Sequence, residues 1–109
     1  MKHTEEQVVV ITKRRLKDIK FKYHEDEDFS ISYTTSKGLL GRDSNIQNGI
    51  VVGVNWFDQD YLGGNDVMSF IILDDDTGEP EIFSARSGGG GNWVIKKDDD
   101  GKYFVERNY

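Results

Sequence analysis

Two segments of this chain, residues 50–57 and 67–73, are apolar on both of the faces that a β-strand presents. In the first segment Ile50 and Val52 lie on one face, while Val51 lies on the other. A strand with this pattern needs cover on both sides, either from another layer of the fold or from closure of the sheet into a barrel. The two segments therefore predict a β-rich core with these strands at its centre.

Shorter strands are predicted on both sides of this pair. Apolar and polar residues alternate over residues 19–24 and again over 29–34, which predicts a β-hairpin around the acidic run 25–28. Further strands are predicted over residues 81–85, 93–97 and 102–106, with turns at Thr77-Gly78 and Asp100-Gly101. Because strands follow strands without intervening helices, we expect a small antiparallel β-barrel or sandwich of about six or seven strands. Gly53 predicts a bulge or a bend within a central strand.

The N-terminal segment has two interpretations. Thr4 and Gln7 have the spacing of a capping box, in which each side chain accepts a hydrogen bond from the other residue's amide, and this favours a short helix over residues 5–17. The β-branched residues from Val8 to Thr12 favour instead a strand over residues 7–12. We favour the helix, which makes the predicted fold class mainly β with an N-terminal helix, or α+β.

Length and composition limit the class of protein. A chain of 109 residues has the length of one domain, so residues 1–109 are treated as a single unit, with residues 1–6 and the glycine-rich segment 87–92 predicted to be flexible. The absence of cysteine excludes a disulfide framework and a thiolate metal site. No apolar run reaches the ~20 residues of a transmembrane helix, and the polar N-terminus does not resemble a secretory signal. We therefore expect a cytoplasmic protein that does not contact membranes.

Charge is distributed unevenly along the chain. Residues 1–23 carry seven cations and three anions, whereas residues 24–109 carry seven cations and 17 anions, so the two parts have net charges of +4 and −10. Many of the anions lie in three runs, Glu25–Asp28, Asp74–Asp76 and Asp98–Asp100. Charge separated in this way acts through its long-range field on the choice of partner and says little about the fold.

Motifs for catalysis are few. His3 and His24 lie near the N-terminus and beside an acidic run, and no nucleophile motif accompanies them. The glycines at 88–91 are not followed by the lysine and hydroxyl residue of a phosphate-binding loop. Oxygen ligands for a divalent cation are offered by Asp58, Asp60 and Asp66, which leaves a metal-dependent hydrolase as an alternative. We expect a protein without catalytic residues, metal or cofactor.

The acidic runs predict binding to another protein. Carboxylates on the loop tips of a rigid β scaffold complement a basic surface, such as the nucleic-acid cleft of an enzyme or regulator, which this protein would inhibit or modulate. An aromatic anchor is expected among Trp56, Phe57 and Tyr61, because affinity needs a buried apolar centre. The other interpretation places Trp56 and Phe57 in the core as residues at a strand end. We favour the core for Trp56 and an exposed position for Tyr61. The predicted partner-binding carboxylates are Glu25, Asp26, Glu27, Asp28, Asp58, Asp60, Asp74, Asp75, Asp76, Asp98, Asp99 and Asp100.

A second hypothesis assigns the basic segment 13–24 to nucleic-acid binding by a small barrel. Phosphates would then contact Arg14, Arg15, Lys20 and Lys22, although the −10 charge of the remaining chain opposes a polyanion. In size, acidity and lack of enzyme motifs the chain is similar to small accessory proteins that phages and mobile elements use against host machinery. This similarity is one of general character and carries no residue assignment. The oligomeric state stays open.

Overall fold

A computed structural model of the chain describes residues 2–36, 46–59, 62–84 and 92–108. The fold is mixed α+β, with one N-terminal helix and short antiparallel strands in an open sheet. The elements are α1 (Glu5–Asp18), β1 (Ser30–Thr34), β2 (Gly49–Asp58), β3 (Asn65–Asp74), β4 (Pro80–Ser84), β5 (Asn92–Lys97) and β6 (Tyr103–Asn108). The predicted flexible loop 87–92 lies outside the described residues, except for its last residue. In the described part of the chain, no helix has the length and apolar character needed to cross a membrane.

The strands pair in chain order from β1 to β6, and each neighbouring pair is antiparallel. Within the described residues β1 and β6 are the two edges of the sheet and do not pair with each other. The predicted barrel is therefore not closed in the part of the chain that the structure describes, whereas the predicted succession of short antiparallel strands is confirmed. The helix supplies on one face the cover that closure of a barrel would have supplied.

Helix α1 begins at the predicted capping box. The hydroxyl of Thr4 accepts a hydrogen bond from the amide of Gln7 at 3.2 Å, and Gln7 Oε1 accepts one from the amide of Thr4 at 2.8 Å. The side chains of Val8, Thr12 and Leu16 follow at four-residue spacing and are fully buried. The alternative strand over residues 7–12 is wrong, because the cap and this buried stripe outweigh the low helix propensity of β-branched residues.

The helix ends in a Schellman motif. The amide of Phe21 donates to the carbonyl of Leu16 at 2.9 Å, and the amide of Lys20 donates to the carbonyl of Lys17 at 3.1 Å. Lys20 takes the left-handed conformation that this motif needs, with a φ of 59°. Glycine is the usual residue at this position because it has no Cβ to clash with the backbone. The chain therefore places a lysine where the backbone favours glycine.

The predicted first hairpin is half correct. Its second strand is confirmed as β1, but residues 21–24 form no strand and instead run back from the end of α1 towards β1. Their alternating pattern arises because Phe21 and Tyr23 pack against the core, with Phe21 meeting Trp56 edge to face at 5.2 Å between ring centroids. An irregular segment that crosses a sheet produces the same alternation as a strand.

The main core lies between α1 and one face of the sheet. Ile50 and Val52 of β2 pair with Leu73 and Ile71 of β3, and all four side chains are at most 1% exposed. Complete burial of one such side chain contributes about 1.5–3 kcal/mol. The strands of residues 50–57 and 67–73 are thus central, as their sequence predicts.

The second face of the sheet carries a smaller apolar cluster of Ile46 and Ile72. Gly53 lies on this face within a continuous ladder, paired with Ser30 and Phe70, so the predicted bulge is not present at this position. A Cβ on Gly53 would come within 2.9 Å of the sulfur of Met68. The glycine therefore serves close packing of Met68 over the strand.

Helix α1 crosses the sheet from the β1 side to the β6 side. Near its start, the hydroxyl of Tyr33 in β1 donates a hydrogen bond to the carbonyl of His3 at 2.8 Å. Near its end, the guanidinium of Arg15 lies 4.1 Å from the ring centroid of Tyr103 in β6. One long side of the helix therefore faces residues 20–31, which run back across the same face of the sheet.

Lys2 and His3, which fall in the segment predicted to be flexible, are held by Asp75. Its carboxylate accepts hydrogen bonds from their amides at 2.8 and 2.9 Å, and Nδ1 of His3 lies 3.0 Å from its Oδ1. Burial raises the pKa of Asp75, but these hydrogen bonds outweigh burial and leave the pKa below its usual value. Asp75 is 3% exposed, so it does not belong to the partner-binding surface on which the sequence places it.

Candidate functional site

The antiparallel order of the strands separates the predicted acidic runs. Glu25–Asp28 precedes β1 and lies at the end of the sheet where β2 turns into β3. Asp74–Asp76 and Asp98–Asp100 lie at the opposite end, at the turns that follow β3 and β5. Strands of ten residues are about 33 Å long, so these runs cannot form one surface.

A cleft of about 390 Å³ lies between α1 and residues 25–31, and we call it the acidic cleft. The apolar part of its lining is formed by Val9, Phe29 and Ile31. Five carboxylates line it, those of Glu5, Glu6, Glu25, Glu27 and Asp28, together with the ammonium group of Lys13. A cleft lined by carboxylates and apolar side chains suits a lysine or arginine side chain, because its stem is apolar and its end is cationic.

A second cleft, of about 550 Å³, continues along the same side of α1 towards the C-terminus of the helix. We call it the lysine cleft, because it is lined by four lysines, Lys13, Lys17, Lys20 and Lys22. The rings of Phe21 and Tyr23 and the carboxylate of Glu25 complete its lining. Burial, together with the nearby charge of Glu25, raises the pKa of Tyr23. Ammonium groups beside aromatic rings suit an acidic side chain or a phosphate.

His24 links the acidic run to the β2–β3 hairpin. Its Nε2 lies 2.9 Å from Asp66 and 3.9 Å from Glu27. The hydrogen bond with Asp66 raises the pKa of His24 above its usual 6.5. Potential metal-ligating atoms of His24, Asp26 and Glu27 lie within 4.8 Å of one another. This group differs from the predicted set, of which Asp66 pairs with His24, whereas Asp60 and the side chain of Asp58 lie outside the described residues.

The predicted aromatic anchors separate into an inner and an outer residue. Trp56 donates a hydrogen bond from Nε1 to the hydroxyl of Ser69 at 2.8 Å, which ties its ring to the fold, while the residue as a whole is only partly buried. Phe57 is 52% exposed, and the neighbouring turn exposes Leu62 as well. Tyr61 lies outside the described residues. Among the described residues of this hairpin, Phe57 and Leu62 carry the exposed apolar surface.

The four predicted phosphate-binding cations lie in different places in the fold. Lys20 and Lys22 line the lysine cleft. Arg14 is exposed but does not line that cleft. Arg15 is held within the fold, because its Nη1 lies 3.0 Å from Asp18 and its guanidinium stacks on a buried tyrosine. Only the two lysines of this set are placed to bind a ligand in the cleft.

Sequence reasoning missed several of the charged residues that line the clefts. Glu5, Val9, Lys13 and Lys17 recur at four-residue intervals, which places them on one side of α1. This signal was present in the sequence once the helix was accepted. The sequence did not show that residues 20–31 return along that side of the helix, because this path depends on the Schellman motif and on the packing of two aromatic rings.

The acidic cleft and the lysine cleft are adjacent, because both are lined by Lys13 and Glu25. Together they place anions and cations at opposite ends of one side of α1. The candidate site is defined by this geometry and charge, since no protein-family model, no curated protein and no solved structure matches the chain.

Proposed function

We propose that this protein is a non-enzymatic binding module that recognises a basic surface on another protein and thereby inhibits or modulates it. The observation that carries the proposal is the acidic cleft, whose lining combines five acidic residues with three apolar ones. A net charge of −6 adds a long-range field that speeds encounter with a basic partner. A nucleic-acid-binding enzyme or regulator has a surface of this kind.

Most carboxylates of the acidic cleft make no ion pair with another described residue, although Glu5 and Glu6 lie in the first turn of α1, where the helix dipole favours them. Glu5, Glu25 and Asp28 make no ion pair with another described residue, and Glu27 reaches only His24, at 3.9 Å. Five carboxylates close together, with Lys13 among them, carry an excess of negative charge that costs stability in a folded chain. A ligand with positive charge would relieve this repulsion.

The acidic runs at the opposite end of the sheet support their own turns instead. Asp74 accepts a hydrogen bond from the amide of Asp76 at 2.8 Å, and Asp98 accepts one from the amide of Asp100 at 2.9 Å. Asp side chains commonly stabilise turns in this way. We therefore assign partner binding to the end of the sheet that carries residues 25–28.

The proposal is tested with a fluorescent peptide rich in lysine and arginine, whose affinity is measured over a series of salt concentrations. Glu25→Lys with Glu27→Lys is expected to weaken binding about tenfold or more, because each exposed ion pair contributes up to about 1 kcal/mol and reversal adds repulsion. The comparison variant is Asp99→Lys with Asp100→Lys, which changes the net charge equally at the opposite end. It is expected to weaken binding much less.

An equal loss in both variants, or an affinity that ignores salt, contradicts the proposal. A larger loss in the comparison variant would move the binding surface to the opposite end. Affinity capture from lysate then identifies the natural partner, which is expected to present a basic surface and to elute as salt is raised.

Binding of single-stranded nucleic acid is a second candidate function, and the lysine cleft is the observation that favours it. Four ammonium groups lie beside two aromatic rings there, an arrangement that suits phosphates and bases. Lys20→Glu with Lys22→Glu should then weaken binding of a single-stranded oligonucleotide, which should itself depend steeply on salt. Unchanged affinity in this variant would remove the second candidate.

A further inference from the structure

The acidic cleft and the lysine cleft are two halves of one groove along α1. They share Lys13 and Glu25, and one wall of both halves is the helix side that carries Glu5, Val9, Lys13 and Lys17. This wall is about 18 Å long, because each helical residue adds about 1.5 Å. An extended segment of about six residues has the same length.

The opposite wall is the chain that returns from the end of α1 to β1. It carries Lys20 and Lys22 in the lysine half, and Glu25, Glu27 and Asp28 in the acidic half. The charge of both walls therefore changes from negative to positive in the same direction, from the acidic half to the lysine half. Lys13 on the helix and Glu25 on the returning chain have opposite charges where the two halves meet. Away from this junction like charges line both walls of each half, and no ion pair between described residues crosses the groove.

The stability of the fold does not account for this arrangement. The helix dipole favours glutamates at the start of α1 and lysines at its end, which explains the helix wall. It does not explain the returning chain, where the opposite order of charges would have formed ion pairs across the groove. A stable fold without a ligand would favour that opposite order.

Lys20 is a second sign that the lysine half serves binding. Its φ of 59° costs about 1 kcal/mol in a residue other than glycine. The chain keeps a cation at this position, where glycine would relieve the strain. Strained residues cluster at functional sites, although Leu62, which lies outside the groove, has a similar φ of 52°.

We propose that this groove binds a single segment of the partner protein in which basic and acidic residues are segregated. The basic residues lie in the acidic half, and the acidic residues lie in the lysine half. The inference rests on the proposed function and adds the order of charges in the partner. A polyanion would neutralise the lysine half but face five carboxylates in the other, whereas a segment with both signs matches both halves.

Apolar residues between the two charged blocks would lie over the junction of the halves. Phe29 of the acidic half and Tyr23 of the lysine half pack together there, with 5.8 Å between their ring centroids. Both rings are half-buried, so each still presents surface to the groove. The segment that fits is therefore short and extended, with a basic block, an apolar centre and an acidic block.

Three labelled peptides test the inference by fluorescence anisotropy with the full chain. The segregated peptide has a lysine block, an apolar centre and a glutamate block. The scrambled peptide has the same composition with alternating charges, and the lysine-block peptide has glutamine in place of glutamate. At low salt the segregated peptide is expected to bind about tenfold more tightly than the scrambled peptide, a difference of about 1.4 kcal/mol.

The outcomes separate the inference from the proposed function. Equal affinities of segregated and scrambled peptides overturn the inference, while binding of the lysine-block peptide keeps the proposed function. Failure of all three peptides to bind overturns both. Tighter binding of a single-stranded oligonucleotide than of the segregated peptide overturns the inference in favour of nucleic acid. Sedimentation tests whether a second copy of the chain occupies the groove instead. Self-association that weakens as salt is raised and that the peptide suppresses overturns the inference in favour of this second copy.

A charge reversal in the lysine half provides a further check. Lys22→Glu is expected to remove the advantage of the segregated peptide over the lysine-block peptide, because only the glutamate block meets that half. Lys102→Glu is the matched control, since Lys102 is also exposed and lies outside the groove. An advantage that survives Lys22→Glu, or that is lost equally in the control, overturns the inference.

Discussion

Asp75 is the buried residue that anchors the N-terminus to the sheet, through hydrogen bonds from the amides of Lys2 and His3. Asp75→Asn is expected to cost about 2 kcal/mol of unfolding free energy, because hydrogen bonds to charged groups contribute about 1.5–3 kcal/mol each and the amide replaces one acceptor with a donor. The loss is measured by urea denaturation at neutral pH.

The pH dependence of this effect follows from the lowered pKa of Asp75. A carboxyl with a lowered pKa in the folded state stabilises the protein above its unfolded pKa of 3.8, and this stabilisation is lost as pH falls through the lower folded pKa. The difference in unfolding free energy between the wild type and Asp75→Asn should therefore become smaller in acid. A constant difference from neutral pH down to strong acid would contradict this assignment.

The stability that His24 contributes depends on pH in the opposite direction to that of Asp75. Its pKa is raised by the hydrogen bond with Asp66, so its contribution to stability is fully present below 6.5 and is lost as pH rises through the folded pKa. Asp66→Asn should lower the pKa of His24 and should destabilise the protein more at pH 6 than at pH 8. The imidazole proton resonances of His24 in an NMR titration measure the shift. A pKa unchanged by the substitution would show that the hydrogen bond does not form in solution.

Residue roles of this kind were the part of the structure that the sequence predicted least. Asp75 stands between two other aspartates, and a run of three identical residues does not reveal which one is buried. Its role depends on the distant His3, 72 residues away in the chain. Similarly, the sequence grouped Arg15 with Lys20 and Lys22, although packing ties its guanidinium to the ring of Tyr103.

At the scale of elements, the sequence predicted most of what the structure contains. The capping box and the buried spacing define α1, an alternating pattern defines β1, and segments that are apolar on both faces define β2 and β3. Short segments between turn residues define the strands from β4 to β6. Residues 19–24 were misassigned because their aromatic residues alternate as in a strand. Whether a meander closes into a barrel depends on strand tilt and stagger, which local patterns do not record.

The end of α1 offers a prediction in which stability and binding change in opposite directions. Lys20→Gly is expected to raise the unfolding free energy by about 1 kcal/mol, because glycine adopts the φ of 59° without strain. The same substitution removes a cation from the lysine half and should weaken binding of the segregated peptide. Thermal unfolding and peptide anisotropy measure the two effects on one sample.

Lys20→Ala is the control for this substitution, because it removes the same charge but keeps the Cβ that causes the strain. It should weaken peptide binding as much as Lys20→Gly does, without the gain in stability. If Lys20→Gly proves no more stable than Lys20→Ala, the left-handed conformation does not persist in solution.

At the scale of the whole molecule, the sequence predicted a polarised charge but not its arrangement. Counting along the chain assigned +4 to residues 1–23 and so treated Glu5 and Glu6 as exceptions within a basic segment. In the fold these two glutamates join Glu25 and Glu27 in one acidic cleft, because the chain after α1 reverses direction. The polarity therefore lies along a groove between two antiparallel stretches of chain, rather than between the two ends of the sequence.

Like charges that face each other across this groove should make the free protein more stable as salt is raised, because ions screen repulsion. Glu25→Lys with Glu27→Lys should stabilise the protein at low salt by about 0.5–1 kcal/mol, since the reversed side chains would face Glu5 and Glu6 and form exposed ion pairs with them. Urea denaturation at low and high salt measures both effects. If the reversed pair destabilises the protein at low salt, the two walls do not face each other as described. A gain in stability that accompanies the loss of peptide binding would mean that the native charges of this groove are retained for the partner at a cost to the fold.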